Sequence, residues 1–449
     1  MDITTVVCII LLAYTPCKSF LYQFNRHKIL RNSTSLYNGD PTHHCKSSPI
    51  RVAIMGSTGS IGTQALDIIS KMNEGDEKFK VVALTAKENF QLLSRQIEKF
   101  KPEVAHIYEY ADSLRELVSD KTEIITGKRA LLDLCNSDIY DLLVLGISGS
   151  AGIEPTIAAA KSGKRIALAN KESIVSAGDI LKNVVRECGS IILPVDSEHN
   201  AIYQCLSPIA TNNEAHSQSI CNIPESIINS IKMLVLTSSG GPFREVDASL
   251  FGKMKVSDNI SHPVWSMGAK ITVDSSTMMN KGLEIIEAHH LFGIPVDKIG
   301  VLVHKECIVH SMVEFMDNSI ISQMYLPDMR LPIAYALNWP KRIHNSLPSL
   351  DLTKYTLSFA NPDFEKFPSL KLAYRVGKVG GLFPAVLNAA NDRANELFRM
   401  DMVSYDEMFN LVKTTVENFN PDKYSNDLQD ILEADKWAKD HVDKLHKRK

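Results

Sequence analysis

The sequence predicts an α/β protein with an N-terminal Rossmann-like domain, a central α/β domain and a C-terminal helical domain. Three observations support this fold class. Strand-like and helix-like segments alternate between residues 50 and 200, two glycine-rich turns in that region each follow a strand-like segment, and helix-like segments dominate from residue 369 onward. Alternation of this kind is typical of a parallel sheet that carries helices on both faces.

The composition is that of an ordinary globular protein. The 449 residues are 44% hydrophobic and 22% charged, and the net charge is -3. Because a nucleic-acid interface usually shows a basic excess, we expect no nucleic-acid partner. After residue 49 there is no C-x-x-C pair and no run of about 18 apolar residues. We therefore expect no cysteine zinc site, no disulfide framework and no membrane association of the mature chain.

Residues 1–49 differ in composition from the rest of the chain. The apolar residues 6–14 are too few to span a bilayer and suit the core of a signal peptide, although Asp2 stands where a basic residue is usual. Residues 20–49 are rich in Ser, Thr and Asn and carry more basic than acidic side chains, as transit peptides do. A signal followed by a transit peptide predicts import into an organelle through the secretory route. The alternative is a disordered N-terminal arm.

The first glycine-rich turn has the surroundings of a dinucleotide-binding site. The apolar residues 51–55 lead directly into residues 56–62, GSTGSIG, and the amphipathic segment 63–72 follows. Glycines allow a tight turn and the close approach of a pyrophosphate, and the N-terminus of the next helix offers unpaired N–H groups. A second strand-like segment, residues 81–84, follows at the spacing of a βαβ unit. These features together predict dinucleotide binding.

The residues after that second strand bear on the choice of cofactor. An acidic side chain there would bind the ribose 2′-hydroxyl of NAD, whereas a basic one favours the 2′-phosphate of NADP. Lys87 favours NADP, and the adjacent Glu88 weakens that preference. Lys87 and Asn89 are candidate cofactor contacts. The alternative is that these side chains only face solvent.

The alternation continues to the end of the predicted sheet. Residues 104–108 are strand-like, residues 112–118 are helix-like, and residues 142–146 are strand-like again. A second glycine-rich turn, residues 149–152, then begins a helix that extends to residue 162. Residues 165–169 and 190–194 are strand-like and are followed by Lys171 and by Asp196 and Glu198. Ligands of doubly wound sheets bind beyond the carboxyl ends of the strands, where these three side chains are expected.

The carboxylates predict a divalent-metal site. Asp196 and Glu198 are two positions apart, which in an extended chain directs both to one side. We expect residues 270–275 to form a strand that leads into a helix, on which Asn280, Lys281 and Glu284 share one face. Oxygen ligands suit Mg²⁺ or Mn²⁺, whereas zinc prefers His and Cys. The alternative is a solvated acidic turn and an exposed helix face.

Two loops predict further contacts. Residues 237–241, TSSGG, follow the apolar residues 233–236. Such a turn is a usual anion cradle with Ser239 as a donor, or else a plain turn. Residues 262–268 place Trp265 between Pro and Gly. This indicates a mobile lid over a ligand, or ordinary packing of Trp265 against the core.

The last part of the chain predicts a linker and then helices. Residues 331–349 contain three prolines, which are typical of a linker. Helix-like segments follow over residues 371–376, 383–399, 404–419 and 428–445. The polar residues 209–227 indicate a surface insertion.

Six segments of the chain resemble, in order, the 1-deoxy-D-xylulose 5-phosphate reductoisomerase family. They are residues 56–62, 168–173, 194–200, 239–243, 262–281 and 327–329. The resemblance implies a leader at residues 1–49, a Rossmann-like NADP-binding domain at 50–196, a catalytic domain at 197–331, a linker at 332–368 and a helical domain at 369–449. It also implies the NADPH- and divalent-metal-dependent conversion of 1-deoxy-D-xylulose 5-phosphate into 2-C-methyl-D-erythritol 4-phosphate, a step of non-mevalonate isoprenoid synthesis.

The resemblance also implies roles for single residues at matching positions. It makes Asp196, Glu198 and Glu284 the ligands of Mg²⁺ or Mn²⁺, and Lys171, Glu198 and His262 catalytic. The implied contacts of the phosphosugar substrate are Lys171, Ser197, Glu198, Ser239, His262, Trp265, Met267, Ser275, Asn280, Lys281 and Glu284. The implied NADPH contacts are Gly56, Thr58, Gly59, Ser60, Ile61, Lys87, Asn89, Asn170, Glu172 and Gly268. Trp265 and Met267 would belong to a closing flap and Met329 to the pocket wall.

The resemblance further implies a homodimer and, with the leader, delivery to a plastid of the apicoplast type. Two other functions would explain part of the pattern. A generic NADP-dependent aldehyde or semialdehyde dehydrogenase accounts for residues 56–62, but it requires a nucleophilic Cys and gives the three carboxylates no role. A non-catalytic NADP sensor would keep the dinucleotide site and lose the metal ligands. Neither accounts for Asp196, Glu198, Glu284 and Lys281 together.

Overall fold

The computed structural model describes residues 48–119, 121–207, 223–254, 268–342, 344 and 347–447. Three segments singled out in the sequence lie outside the described residues in whole or in large part. They are the predicted leader, the predicted lid before Gly268 and the predicted surface insertion at residues 209–227.

Seven strands in the first part of the described chain form a parallel sheet, which confirms the predicted fold class. The strands are β1 (Ile50–Met55), β2 (Phe79–Ala86), β3 (Val104–Ile107), β4 (Glu123–Ile125), β5 (Leu142–Leu145), β6 (Arg165–Leu168) and β7 (Ile191–Pro194). Their order across the sheet is β4-β3-β2-β1-β5-β6-β7. The strand order reverses at β1, so the crevice beyond β1 and β5 is the switch point at which such sheets bind ligands.

Helices connect these strands. They are α1 (Ser60–Met72), α2 (Phe90–Phe100), α3 (Ala111–Leu117), α4 (Lys128–Cys135), α5 (Ile153–Lys161) and α6 (Lys171–Cys188), and α7 (Ser197–Leu206) follows β7. All four residues of β5 and the last four of β1 are buried. Successive side chains of a strand point to opposite faces, so the central strands are covered on both faces.

A second sheet of four strands follows within the described residues. Its strands are β8 (Ile231–Ser238), β9 (Ile299–Val303), β10 (Val309–Phe315) and β11 (Ile320–Met324). The order is β11-β10-β8-β9, with β8 and β9 parallel and the other two pairs antiparallel. The helices of this region are α8 (Glu225–Ser230), α9 (Ala269–Ser276) and α10 (Met279–Phe292). Of these four strands, the sequence analysis indicated only one, through the apolar residues 233–236, which lie within β8.

The C-terminal region is helical, as predicted. Its helices are α11 (Arg330–Asn338), α12 (Pro368–Val379), α13 (Phe383–Arg399), α14 (Tyr405–Glu417) and α15 (Leu428–Lys447). Helix α13 is the central one, because it packs against α14 and α15 and also against α6 and α9. It therefore joins the C-terminal helices to the rest of the described chain.

One secondary-structure prediction is wrong and a second needs refinement. Residues 270–275, expected as a strand, belong to helix α9. The β-branched residues 271–273 favour a strand, but Gly268 precedes the helix as its N-cap and the side chain of Asp274 is bound by helix α13. Helix α11 occupies the start of the expected linker, because Pro332 lies in its first turn, where no backbone N–H is needed.

The residues from Pro49 onward form one compact unit. The domain boundaries predicted inside residues 49–449, after residues 196, 331 and 368, remain predictions. Over the described parts of the chain, none of the helices combines the length and the apolar character that crossing a bilayer requires.

Candidate active site

Two glycines shape the turn between β1 and α1. Gly56 has a φ of 81°, in the left-handed region that favours glycine. A Cβ on Gly62 would lie 2.4 Å from the carbonyl oxygen of Gly56 and from Ser57 Cα, so only glycine lets α1 begin this close to the turn. The first turn of α1 contains no acidic residue. Its N–H groups are therefore available to an anionic group such as a pyrophosphate.

The second glycine-rich turn is bound to the start of α6 by Asn170. The Asn170 side chain accepts a hydrogen bond from Ser173 N at 2.8 Å and donates to Ile147 O at 2.8 Å and to Gly149 O at 3.0 Å. A Cβ on Gly152 would lie 2.7 Å from the Asn170 amide. The turn after β5 and the N-terminus of α6 are therefore one connected unit beside the switch point.

The three predicted metal ligands lie together. One oxygen atom from each of Asp196, Glu198 and Glu284 falls within 4.8 Å of the others. Asp196 is the N-cap of α7, Glu198 lies in the first turn of that helix, and Glu284 lies in α10. Three carboxylates in this arrangement match the oxygen donors that Mg²⁺ and Mn²⁺ prefer.

Two lysines pair with these carboxylates. Lys171 Nζ lies 2.7 Å from Asp196 Oδ2 and 3.1 Å from Glu284 Oε1, and it donates to Asn280 Oδ1 at 2.9 Å. A second lysine, at position 281, lies 2.7 Å from the Glu198 carboxylate and also contacts Glu284. The five charged side chains are at most 17% exposed. Each of the three carboxylates therefore has at least one ammonium group as its partner.

Burial and neighbouring charge act in opposite directions on these groups. Burial by itself would raise the pKa of Asp196 and that of Glu198, but Lys171 and Lys281 hold both pKa values below their usual range. The pKa of Glu284 is raised by burial and by the charge of Glu198. The pKa of each lysine is raised, because the carboxylates outweigh burial. At neutral pH both lysines are protonated and Asp196 and Glu198 are ionised.

Two residues that the sequence analysis did not assign lie directly behind the carboxylates. His199 Nε2 donates to the carbonyl oxygen of Glu284 at 3.0 Å, and its Nδ1 lies 3.7 Å from Asp196 Oδ2 and 3.6 Å from Glu287 Oε2. Despite burial, the facing carboxylates raise the pKa of His199 to about 9, and burial raises the pKa of Glu287 to about 8. No sequence spacing pointed to this pair, since it joins α7 to α10.

The Ser/Gly turn predicted after β8 is present, and its role as an anion cradle remains a prediction. The turn after β8 contains Gly241, whose φ is 70°, and a Cβ there would lie 2.1 Å from the carbonyl oxygen of Ser275. Ser239 Oγ accepts a hydrogen bond from Gly241 N at 3.1 Å. The absence of a side chain at residue 241 therefore lets the β8 turn contact the end of α9. This contact brings Ser239 and Ser275 to one side of the site.

One cavity of about 480 Å³ contains both halves of the predicted site. From the predicted sets it is lined by Ser60, Ile61, Lys171, Glu172, Asp196, Ser197, Glu198, Ser239, Gly268, Ser275, Asn280, Lys281, Glu284 and Met329. The structure thus brings the start of α1, the carboxylates and the anion cradle around a single space.

Other predicted residues lie elsewhere. The Lys87 side chain is 74% exposed and 4.0 Å from Glu88, while Asn89 accepts a hydrogen bond from Leu92 N as the N-cap of α2. Neither lines the cavity. His262, Trp265 and Met267 lie outside the described residues.

The cavity also has lining residues that the sequence did not mark. They are Lys270, His304, Cys307, His310 and Arg399. His310 stacks on Tyr325 with ring centroids 3.6 Å apart, and burial lowers its pKa to about 4. Lys270 lies in the segment 262–281 that resembles the family, but it was given no role there. The other four residues belong to no motif and follow no predicted strand, so no local signal could have identified them.

Three family models match the chain. One, described as 1-deoxy-D-xylulose 5-phosphate reductoisomerase, matches residues 52–178. Two models of C-terminal domains of the same enzyme match residues 192–292 and residues 324–441.

Curated relatives agree with the family models. The chain is 43% identical over 412 residues to the 1-deoxy-D-xylulose 5-phosphate reductoisomerase, apicoplastic, of Plasmodium falciparum. The matched region covers 89% of this chain and 84% of that protein. It is 43% identical over 397 residues to 1-deoxy-D-xylulose 5-phosphate reductoisomerase 1 of Bacillus anthracis, covering 88% and 98%.

Solved structures give the same result. The reductoisomerase from Zymomonas mobilis in complex with NADPH aligns with a TM-score of 0.79 at 38% identity, over 89% of this chain and 99% of that one. A DOX-P reductoisomerase in complex with NADPH, fosmidomycin and magnesium aligns with a TM-score of 0.81 at 38% identity, over 89% and 98%.

Proposed function

The chain belongs to the 1-deoxy-D-xylulose 5-phosphate reductoisomerase family, and on that premise we propose which of its residues carry out the family's reaction. The enzyme rearranges and reduces 1-deoxy-D-xylulose 5-phosphate to 2-C-methyl-D-erythritol 4-phosphate with NADPH and a divalent metal. The observation that carries the residue assignment is the single cavity that joins the start of α1 to three buried carboxylates and two lysines.

Asp196, Glu198 and Glu284 hold the divalent cation. Their oxygens lie within 4.8 Å of one another, so one cation could contact all three carboxylates. A Mg²⁺ or Mn²⁺ ion held there would supply Lewis-acid chemistry toward the oxygens of the substrate. The hydrogen bond from His199 to the carbonyl oxygen of Glu284 and the nearness of Glu287 fix the orientation of this set from behind.

Lys171, Ser197 and Glu198 position the reacting end of the substrate. Lys171 is a protonated donor at the centre of the cavity wall, and Ser197 Oγ donates to Glu198 Oε2 at 2.5 Å. Both side chains can donate to substrate hydroxyl groups once those groups displace the present acceptors. Burial of these groups excludes water, which strengthens each charge interaction with the substrate.

The phosphate end of the substrate is bound in the same cavity, which the carboxylates and the turn after β8 line together. Ser239, Ser275, Asn280 and Lys281 supply neutral and cationic donors there. His262 is assigned to the same end. Binding energy from a phosphate that does not react can hold the reacting carbons in place.

The turn at residues 56–62 and the second glycine-rich turn would hold NADPH, which would supply hydride to the reaction. Gly56, Thr58, Gly59, Ser60 and Ile61 surround its pyrophosphate. Asn170 and Glu172 are assigned to the ribose and nicotinamide, and Lys87 and Asn89 to the 2′-phosphate. Gly268 is assigned to the cofactor contact of the flap, Trp265 and Met267 to the flap itself, and Met329 to the pocket wall.

Oxidation of NADPH by the chain from residue 48 onward tests these assignments. With substrate and Mg²⁺ or Mn²⁺ we expect turnover that requires both, and loss of turnover in Glu198→Gln. Glu103→Gln is the matched control, because Glu103 pairs with Lys80 on the surface and should leave turnover unchanged. Full activity of the Glu198 variant would contradict the metal assignment. NADPH binding without turnover under either metal would instead favour the sensor.

The chain acts as a homodimer that pairs through β11. This strand is at the edge of the second sheet, and no described strand pairs with its outer edge. Ile320, Ile321 and Met324 are 57%, 43% and 40% exposed, which is unusual for an unpaired edge strand. A second copy placed by a two-fold axis would cover the same strand on both partners.

The enzyme acts in a plastid that it reaches through the secretory route. The composition of residues 1–49 and the similarity to an apicoplastic relative support this proposal. Residues 1–60 fused to a fluorescent protein should direct it to the apicoplast of an apicomplexan cell. Fluorescence that stays in the cytosol would contradict the proposal.

A further inference from the structure

Helix α13 of the C-terminal region is fastened to helix α9 by two buried asparagines. Asn391 Nδ2 donates to Asp274 Oδ1 at 2.8 Å, and Asn395 Nδ2 donates to the same oxygen at 2.7 Å. Asn395 Nδ2 also lies 3.0 Å from the carbonyl oxygen of Lys270, one turn earlier in α9. Three hydrogen bonds therefore fix α9 against a helix that carries none of the predicted site residues.

Helix α9 ends in the anion cradle. Ser275 follows Asp274 directly, and its carbonyl oxygen is the atom that a Cβ on Gly241 would contact. The end of α9 is therefore held between the β8 turn on one side and α13 on the other. The position of the Ser275 hydroxyl depends on both contacts.

The same helix reaches the second glycine-rich turn through a buried charge cluster. Lys270 Nζ lies 2.7 Å from Glu172 Oε1 and 2.8 Å from Asp392 Oδ1. Glu172 Oε2 accepts a hydrogen bond from Asn170 at 3.0 Å, and Asn170 binds the turn at Ile147 and Gly149. This cluster gives α9 a second attachment, and the two attachments meet at Asp274, because Lys270 Nζ also lies 3.7 Å from Asp274 Oδ2.

We propose that Asn391 and Asn395 are positioning residues for the phosphate end of the substrate, acting through Asp274 on Ser275. The proposal rests on the proposed function, in which Ser275 binds that phosphate. The asparagines bind Asp274 before the ligand arrives, so the hydroxyl is already in place when the phosphate enters. A displacement of about 1 Å at a substrate-positioning group can change catalytic efficiency by about 100-fold, so a fixed helix end matters for binding.

Helix α13 provides its own control for a purely structural effect. Asn388 lies one turn before the pair, is 0% exposed, and has no hydrogen-bond partner for its amide within the described residues. Asn388→Ala removes the same side chain from the same buried helix and leaves Asp274 with both donors. It therefore reports the effect of altered packing alone.

Steady-state kinetics of the whole chain from residue 48 tests the proposal. For Asn391→Ala and Asn395→Ala we expect kcat/KM for 1-deoxy-D-xylulose 5-phosphate to fall about tenfold, mostly through KM. The dissociation constant of NADPH should stay within about twofold of the wild-type value, because the ion pair between Lys270 and Glu172 still connects α9 to the start of α6. Asn388→Ala should leave the KM for the substrate unchanged.

A double-mutant cycle with Ser275→Ala separates positioning from general destabilisation. If the asparagines act through Ser275, the KM effects of Asn395→Ala and Ser275→Ala will be strongly non-additive. Additive effects, or an unchanged KM in both asparagine variants, would overturn the inference. If Ser275→Ala by itself leaves KM unchanged, the assignment of Ser275 to the phosphate fails instead.

Discussion

Lys281 Nζ lies 2.7 Å from Glu198 Oε1, although 83 positions separate the two residues. The same ammonium contacts Glu284, and Lys171 pairs with Asp196 and Glu284 on the other side. The two lysines therefore neutralise most of the charge of the carboxylates that we assign to the metal. Removing one partner from such a buried set leaves a charge unpaired, which is costly.

Mg²⁺ should stabilise the folded chain, and Glu284→Gln should abolish that effect. A ligand present at 100 times its dissociation constant adds about 2.7 kcal/mol to the free energy of unfolding. Thermal unfolding with Mg²⁺ and with a chelator measures the difference. Glu287→Gln is an informative comparison, because it should reduce the stabilisation less than Glu284→Gln does. An equal Mg²⁺ effect in wild type and Glu284→Gln would contradict the ligand set.

Lys281→Met should destabilise the metal-free chain by about 3 kcal/mol, because Glu198 then remains buried without its cation and Glu284 keeps only Lys171. Added Mg²⁺ should recover part of this loss, so the Mg²⁺-dependent gain should exceed that of the wild type. Chemical denaturation with and without Mg²⁺ provides both values. Lys232→Met, which breaks a surface pair with Glu314, is the matched control.

Gly62→Ala should impair NADPH binding more than folding. Its Cβ would lie 2.4 Å from backbone atoms of the turn at residues 56–62, so α1 must shift away from the turn. We expect NADPH affinity, measured by fluorescence titration, to fall at least about tenfold, with about 1–3 kcal/mol lost from stability. Thr63→Ala, at the next position of α1, should leave the affinity nearly unchanged. Tight NADPH binding by the Gly62 variant would contradict the predicted turn.

Asp392 should make stability depend on pH. Burial raises the pKa of this carboxyl from 3.8 to about 6, with Lys270 opposing the shift. A raised pKa in the folded state means that the stabilising contribution is complete below pH 3.8 and is lost as the pH rises through 6.

Asp392→Asn removes this titration. Relative to the wild type, its free energy of unfolding should therefore increase between pH 4 and pH 7, by on the order of 3 kcal/mol. Urea unfolding at several pH values measures the difference. A flat difference for Asp392→Asn over this range would refute the raised pKa of Asp392.

Ile320→Lys should convert a dimer into monomers, if β11 pairs across a two-fold axis. A lysine on an edge strand opposes pairing with a second copy, because its charge would be buried at the new interface. Sedimentation velocity measures the change. Val379→Lys alters a residue that is 60% exposed on α12 and should leave the dimer intact. Dimers that persist in Ile320→Lys would exclude this strand as the interface.

Local sequence patterns correctly predicted those parts of the site whose conformation is set by one short segment of the chain. The turn at residues 56–62 is one example, because a positive φ at Gly56 and the close approach at Gly62 require glycine wherever this turn occurs. The helix that carries Asn280, Lys281 and Glu284 is another, since spacing alone places them on one face. Residues 270–275 did not follow their local preference, because contacts with α13 decided their conformation.

The fold class, the family and the three carboxylates could be identified from the amino-acid sequence, because they depend on residue type and on short spacings along the chain. The contacts of Lys171 and Lys281 with the carboxylates could not be predicted in this way. The same holds for the positions of His199 and Glu287 and for the hydrogen bonds from Asn391 and Asn395 to Asp274. Each of these contacts joins segments far apart in the chain. Their partners are set by the packing of helices and sheets, and no local pattern in the sequence encodes that packing.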